Sequence, residues 1–253
     1  MALIAGVHAQ TSVDHCFSHA SAALLHGLPL WLLDTTTHLY QRSSPSGRRR
    51  RDVVRHVPMP PAEDRVVVLG SVPATSVTRT VWDSVSTMRP LGGLVVADGA
   101  LHRGLDLAEL HEKAAAAIGR RGVARARAVL ELADGGAESP WESASRYALL
   151  RAGFPVPQTQ IPVETRLGTF WADLGWEEWR VLVEYDGRTK YLERGAEELV
   201  REKRRHDAVL EAGWRVVRVT REDFRLPGSI AARVAPLLPH AVTERLRPRP
   251  ALA

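Results

Sequence analysis

The chain holds one cysteine, Cys16, and its 34 basic residues include only three lysines, Lys113, Lys190 and Lys203. A lone thiol excludes an internal disulfide framework and a cysteine-built zinc knuckle, and it makes a cytoplasmic compartment the expectation. No stretch reaches the roughly 18 apolar residues of a spanning helix, and residues 1–10 lack the basic and long apolar segments of a secretory leader. Neither membrane insertion nor secretion is expected. No period of fixed length recurs, which excludes solenoids and propellers. Scarce lysine carries information of its own. Where arginine serves almost everywhere, a position that keeps lysine has use for a compact ammonium whose pKa can move.

What is present is ordinary for a globular protein: 253 residues, 45% apolar and 25% charged. That length buries a working core in one large domain or two small ones without covalent staples. The net charge of +5 suits a polyanionic partner without choosing one.

Three stretches separate along the chain. In the first, Ser18 to His26 has a helical pattern stopped by Gly27 and Pro29. Strand-like runs at Leu39-Tyr40 and 52–57 flank a Ser-Pro-Ser-Gly segment and Arg48, Arg49, Arg50 and Arg51, which predicts a hairpin with a basic tip. Residues 65–69 form a further strand candidate. From 76 to about 133 apolar residues recur at spacings of three and four, and helices are expected. These two stretches make an N-terminal α+β region over 1–133, and Asp134-Gly135-Gly136 opens a linker over 134–138.

The third stretch, a domain over 139–239 before an expected flexible tail at 240–253, carries the chemistry. Ser139-Pro140-Trp141-Glu142 opens a helix with a hydroxyl cap, proline at the first position and an acid three residues on. Strand candidates follow at 160–166, 169–174 and 180–185. Their short connections force antiparallel neighbours, because parallel ones need a crossover of a dozen or more residues. A helix over about 196–211 is long enough to return the chain to a parallel fourth strand at 214–220. The expectation is an α/β fold, αβββαβ, around a central mixed sheet.

Asp173 ends the second strand, and Glu184 and Asp186 end the third. With a two-residue turn at Glu177-Glu178, Asp173 faces Leu182 and lies diagonal to Glu184 on one sheet face, so that two carboxylates share a cation. A slip by one residue would part them. Val181-Leu182-Val183 runs straight into Glu184, and an acid buried at the end of an apolar strand needs a partner or a metal. On the following helix Leu199, Lys203, His206 and Leu210 fall on one stripe, which turns Lys203 toward the sheet. Arg201, Arg204 and Arg205 fall off that stripe, free to meet solvent or phosphates.

Each of these residues also has a plainer reading. Glu142 stands where a capping-box glutamate belongs. Lys203 suits an ion pair with Asp207 or Glu184, Lys190 a solvated loop, Asp186 a turn before Gly187. His15, Cys16 and His19 lack an obvious fourth metal ligand and are expected to pack as ordinary core residues. The Arg48 to Arg51 run is either a solvated tip or a phosphate contact.

Trp141-Glu142, Asp173, Val183-Glu184-Tyr185-Asp186-Gly187 and Arg205-x-Asp207-x-x-Leu210-x-x-x-Gly213-Trp214-x-Val216-x-Arg218 together resemble the PD-(D/E)XK nuclease superfamily, in its Vsr-like branch related to very-short-patch repair. Ser18-His19-Ala20-Ser21-Ala22-Ala23-x-x-His26-Gly27-Leu28 and Val77-Thr78-Arg79-Thr80 resemble AbiEi-type antitoxins of type IV toxin–antitoxin systems. Two departures stand out. The winged helix that usually precedes the Ser-His motif is missing, and Asp186 replaces the strand lysine two residues after the acid.

The resemblance implies a restriction-endonuclease-like fold and a DNA endonuclease, or nickase, of genome defence or repair that depends on Mg²⁺ or Mn²⁺. Asp173, Glu184, Glu142 and Asp186 are the implied ligands, hard oxygen donors that suit Mg²⁺. Lys203 or Lys190 would replace the strand lysine beside the water that the metal activates. Arg48, Arg49, Arg50, Arg51, Arg201, Arg204 and Arg205 are the expected DNA contacts. The alternative is an antitoxin-like regulator that binds nucleic acid and keeps the nuclease fold as scaffold. DNA, a toxin and a second copy of the chain are the partners this leaves open.

Overall fold

The Gly135–Gly136 step is where the chain divides. The computed structural model describes residues 1–33, 35–43, 50–187 and 196–252, and these form two units, Met1–Gly135 with Leu252, and Gly136–Ala251. Each unit has a mixed sheet, and the fold is α/β. Among the described residues no helix is long and apolar enough to cross a membrane.

The first unit begins with α1 (Ala2–Gln10), in the segment examined above only for a leader, and this helix buries Ile4 and Val7. Next come β1 (His15–Phe17), α2 (His19–Leu25), β2 (Thr37–Gln41), β3 (Val53–His56), β4 (Arg65–Val68) and β5 (Val72–Thr75). Gly27, at φ +68, follows α2 in the left-handed conformation that ends helices. The sheet order is β3-β2-β1-β5-β4. Its core gathers Phe17, Ala22, Leu39, Val53 and Ala74 around the two residues from α1.

The expected hairpin is corrected here. β2 and β3 run parallel, with Thr37 opposite Val53 and Tyr40 opposite His56. Eleven residues separate the two strands, more than a tight hairpin turn requires.

Four helices complete this unit: α3 (Val77–Thr87), α4 (Pro90–His102), α5 (Leu107–Ala116) and α6 (Val123–Leu130). Ser76 caps α3 by accepting the Arg79 N–H at 3.2 Å. Leu94, Val95, Val96 and Ala97 of α4 are all buried, as four successive apolar residues require of a helix enclosed on several sides.

The second unit runs α7 (Pro140–Arg151), β6 (Gln158–Thr165), β7 (Gly168–Trp176), β8 (Val181–Tyr185), α8 (Ala196–Glu211), β9 (Arg215–Val219), α9 (Ser229–Val234) and α10 (His240–Thr243). β6, β7 and β8 are antiparallel and β9 joins β8 in parallel, giving the order β6-β7-β8-β9. Side chains alternate about β8. Val181 and Val183 pack with Leu149, Ile230 and Val234 from α7 and α9, whereas Leu182 packs with Val209 of α8 and Trp214. The sheet is thus covered on both faces, as a partly parallel sheet requires.

Two expectations about this unit change. The β7–β8 register places Leu174 opposite Val183 and Trp176 opposite Val181, so the turn has four residues, 177–180. Glu-Glu is poor chemistry for a two-residue turn, and the wider loop with Arg180 at φ +50 replaces it. Nor are residues 240–252 a loose tail. Val242 and Leu246 pack against the core, and the Arg249 N–H donates to the Arg151 carbonyl at 3.0 Å.

Candidate functional site

The site lies at the carboxyl end of β8. Continued one step past Leu174–Val183, the register sets Asp173 opposite Glu184, not opposite Leu182 as the shorter turn required. The strand pair ends there. Ala172 packs on the α8 side of the sheet and Leu174 on the α7 side, so β7 turns over at Asp173, and Gln160 of the neighbouring strand has φ +51. Asp173 thus stands just past the last β7–β8 pair. Its Oδ2 accepts the Tyr185 backbone N–H at 2.7 Å, which holds it beside Glu184.

Burial, followed by the charges of Glu142 and Glu184, pushes the Asp173 carboxyl up to about 7, against the Tyr185 hydrogen bond and Arg205. Glu184 is raised as well, by burial and Glu202, while Arg205, Arg218 and His206 oppose the shift. Two acids are therefore held in a place that resists their charge.

Among the described residues, arginines and not lysines approach them. Arg205 Nη2 lies 3.3 Å from Glu184 Oε1 and donates to the Trp171 carbonyl at 3.3 Å, while its guanidinium covers the Phe170 ring at 5.4 Å. Arg218 sits beside Glu184 in the β8–β9 pairing, donates to Glu202 Oε1 at 2.8 Å and stands 4.0 Å from Asp186.

This corrects the reading of α8. Lys203 is exposed and Leu210 is 44% exposed, whereas Glu202, Arg205, His206, Ala208 and Val209 turn inward. The two stripes differ by one residue and share His206, and the Val209–Trp214 contact decides between them. Arg205 thus leaves the set of outward arginines. Arg201, 3.9 Å from Glu197, and Arg204 are exposed. Arg218 and Glu202 had no assigned role in the sequence reading. The signal for Arg218 was its alternation with Val217 and Val219 on a strand parallel to the one bearing Glu184.

Glu142 is held at the start of α7. Its Oε1 accepts the Ser139 hydroxyl at 2.7 Å and its Oε2 the Glu138 N–H at 2.8 Å. Stacking of Trp141 on Tyr185, centroids 5.1 Å apart and 2° from parallel, brings this helix start to the end of β8. Glu142 therefore acts on Asp173 through its charge while serving the cap.

Of the basic run, Arg50 donates to Asp52 Oδ1 at 3.0 Å and to Gln10 Oε1 at 2.6 Å, and Arg51 is exposed. Arg48, Arg49 and Lys190 lie outside the described residues. Among the tryptophans, Trp176 and Trp214 are core residues, whereas Trp171, two residues from Asp173, is 59% exposed.

The chain is similar to two curated proteins of Mycobacterium tuberculosis, "Uncharacterized protein MT2308" of strain CDC 1551 / Oshkosh and "Uncharacterized protein Rv2248" of strain ATCC 25618 / H37Rv. Each is 35% identical over 165 residues, which cover 62% of this chain and 60% of the relative. The match thus spans about three fifths of those relatives. No family profile and no solved structure matches.

Proposed function

We propose that the second unit hydrolyses DNA phosphodiester bonds with the help of Mg²⁺ or Mn²⁺, in genome defence or repair, as its resemblance to restriction-endonuclease-like nucleases implies. The observation that carries this reading is the meeting of Asp173 and Glu184 at the end of β8, both with raised carboxyl pKa values. The donor set fits a hard divalent ion. Magnesium is commonly held by one or two carboxylates with water in the remaining positions, and a bound cation relieves acids that burial disfavours. Asp173 and Glu184 would hold the ion, and when bound it supplies polarisation of a phosphate oxygen and acidification of a water.

The other residues have separable tasks. The Tyr185 N–H fixes Asp173, and Arg205 and Arg218 orient Glu184 while offering positive charge to an incoming phosphate. Trp171 offers an exposed face on which a base can stack. Among the described residues the cation placed for the lysine role is Arg205, since Lys203 is exposed and Lys190 lies outside them.

Two observations favour the second reading, an antitoxin-like DNA-binding regulator with or without a toxin partner: Arg205 already pairs with Glu184, and both Glu142 oxygens are engaged in the cap. Nicking of supercoiled plasmid separates the two. Asp173→Asn and Glu184→Gln should each lower the Mg²⁺-dependent rate at least about 100-fold, and Lys203→Met should leave it unchanged. Wild-type protein that binds DNA yet cleaves no duplex, mismatched or single-stranded form with either metal would establish the regulator reading.

A further inference from the structure

Three histidines that the sequence reading did not group meet in the first unit. His19 opens α2, His38 lies in β2, and His56 ends β3. Parallel pairing of β2 with β3 brings the last two together, because Tyr40 stands opposite His56 and His38 lies two residues before Tyr40 on the same side of its strand. A hairpin over the same residues would have reversed this order. His19 is only 3% exposed and has φ +50, a left-handed backbone that non-glycine residues rarely adopt. One ring nitrogen from each of the three lies within 4.8 Å of the others.

Outer contacts orient two of the rings. His19 Nδ1 meets the Ser18 hydroxyl at 2.9 Å, leaving Nε2 as its ligand atom. His38 Nε2 meets the Thr36 hydroxyl at 3.1 Å, and its Nδ1 faces His56 Nε2 at 3.1 Å. Two nitrogens bound tetrahedrally to one ion at about 2.0–2.1 Å stand about 3.3 Å apart, close to that spacing. On the far nitrogens the Ser18 and Thr36 hydroxyl oxygens can accept an N–H, the part that a carboxylate, carbonyl or water commonly plays beside a metal-ligating imidazole.

We propose that His19, His38 and His56 together bind one borderline divalent transition-metal ion, Zn²⁺ foremost, with the fourth position open to water or a small oxyanion. Imidazole suits such ions, whereas Mg²⁺ prefers oxygen, so this centre is distinct in chemistry from the acids at β8. Burial first, and then the neighbouring histidines, hold His19 well below the ordinary histidine range and His56 at about 4.

The surroundings set the rest of the site. Tyr40, 5.9 Å from His19 and 5.4 Å from His56 between ring centroids, is no ligand, because its hydroxyl meets Asp83 and Arg79. The Arg79 charge is itself answered by Asp83 and Asp64. Three neutral ligands leave the ion's charge uncompensated, which favours an anionic fourth ligand. Coordination also requires His19 to tilt, since it stacks on His56 at 3.9 Å and 16°, and in-plane lone pairs must converge on the ion.

The test is titration of chelator-stripped, untagged full-length protein with Zn²⁺ and, separately, with Co²⁺. One equivalent should bind with micromolar affinity or tighter, and cobalt should give the visible absorption of a four-coordinate nitrogen site. His38→Gln and His56→Gln should each weaken binding at least about 100-fold, while His15→Gln and Asp173→Asn leave it intact. Melting curves establish that the variants are folded. Should either glutamine variant fail to fold, Ser18→Ala, which removes only the outer contact to His19, should still lower affinity and shift the cobalt band. Millimolar binding, or binding that follows His15 or Asp173 instead, overturns the proposal.

Discussion

Each unit buries acids, and among the described residues they meet cations in different proportion. In the first, Arg79 donates to Asp83 at 2.8 Å, to Asp64 at 3.0 Å and to the Tyr40 hydroxyl at 2.9 Å, and Lys113 reaches Asp64 at 2.8 Å. Burial works to raise Asp64, but the bonds from Lys113 and Arg79 outweigh it and hold its carboxyl below the usual range. Burial lifts Asp83 to about 6 against the pull of Arg79. Two cations here face two acids. In the second unit Asp173 and Glu184, with Glu142 and Glu202 nearby, share Arg205 and Arg218, and Asp173 reaches about 7. A self-neutralised network holds a fold together. An under-neutralised one is suited to receive a cation from outside.

The most damaging way to probe this contrast is Arg79→Met. It removes the cation from buried Asp83 and leaves Asp64 with Lys113 alone, and the first unit should lose about 3–5 kcal/mol in urea denaturation. A loss under about 1 kcal/mol would mean that the network contributes little.

Asp173→Asn should do the reverse in chelator-treated protein at pH 8. The folded carboxyl keeps its proton up to about 7, while the unfolded chain releases it near 3.8. Between those values the folded state binds more protons, so stability falls as pH rises through the window. The amide, which still accepts from Tyr185, should therefore stabilise the second unit by about 1–3 kcal/mol at pH 8 and by much less near pH 5. Equal melting shifts at both pH values would show that Asp173 is ionised throughout.

The smallest effect is expected at the helix start. Ser139→Ala removes the hydroxyl that caps α7 and steadies Glu142, and it should cost about 1 kcal/mol in the same denaturation measurement.

The αβββαβ order was legible because loop lengths dictate strand direction, and Ala196–Glu211 stood out as a long amphipathic segment between two strands. The details of the site were not. Turn length fixed the β7–β8 register, and nothing in Glu177-Glu178 announced a four-residue loop. The stripe of α8 was ambiguous by one residue, and only packing of Val209 against Trp214 settled it. The histidines were invisible for a different reason. They lie on three elements, and a hairpin and a parallel pair over the same residues place His38 and His56 differently.

The close of the second unit by its last segment bears on the order of folding. α7 supplies Leu149 to the core that Val242 and Leu246 cover, and a Cβ on Gly153 would collide with the Arg247 carbonyl. The bond from Arg249 to Arg151 joins residues nearly a hundred positions apart. During synthesis, therefore, this unit cannot complete its core until residues near 250 have emerged, whereas all of the first unit but Leu252 has by then been made. Contacts of such long sequence separation also form slowly, since a large loop must close before they contribute. Until then the acid-bearing strands of β7 and β8 lack part of their apolar cover, and that interval is when the nascent chain is most exposed to aggregation and proteolysis.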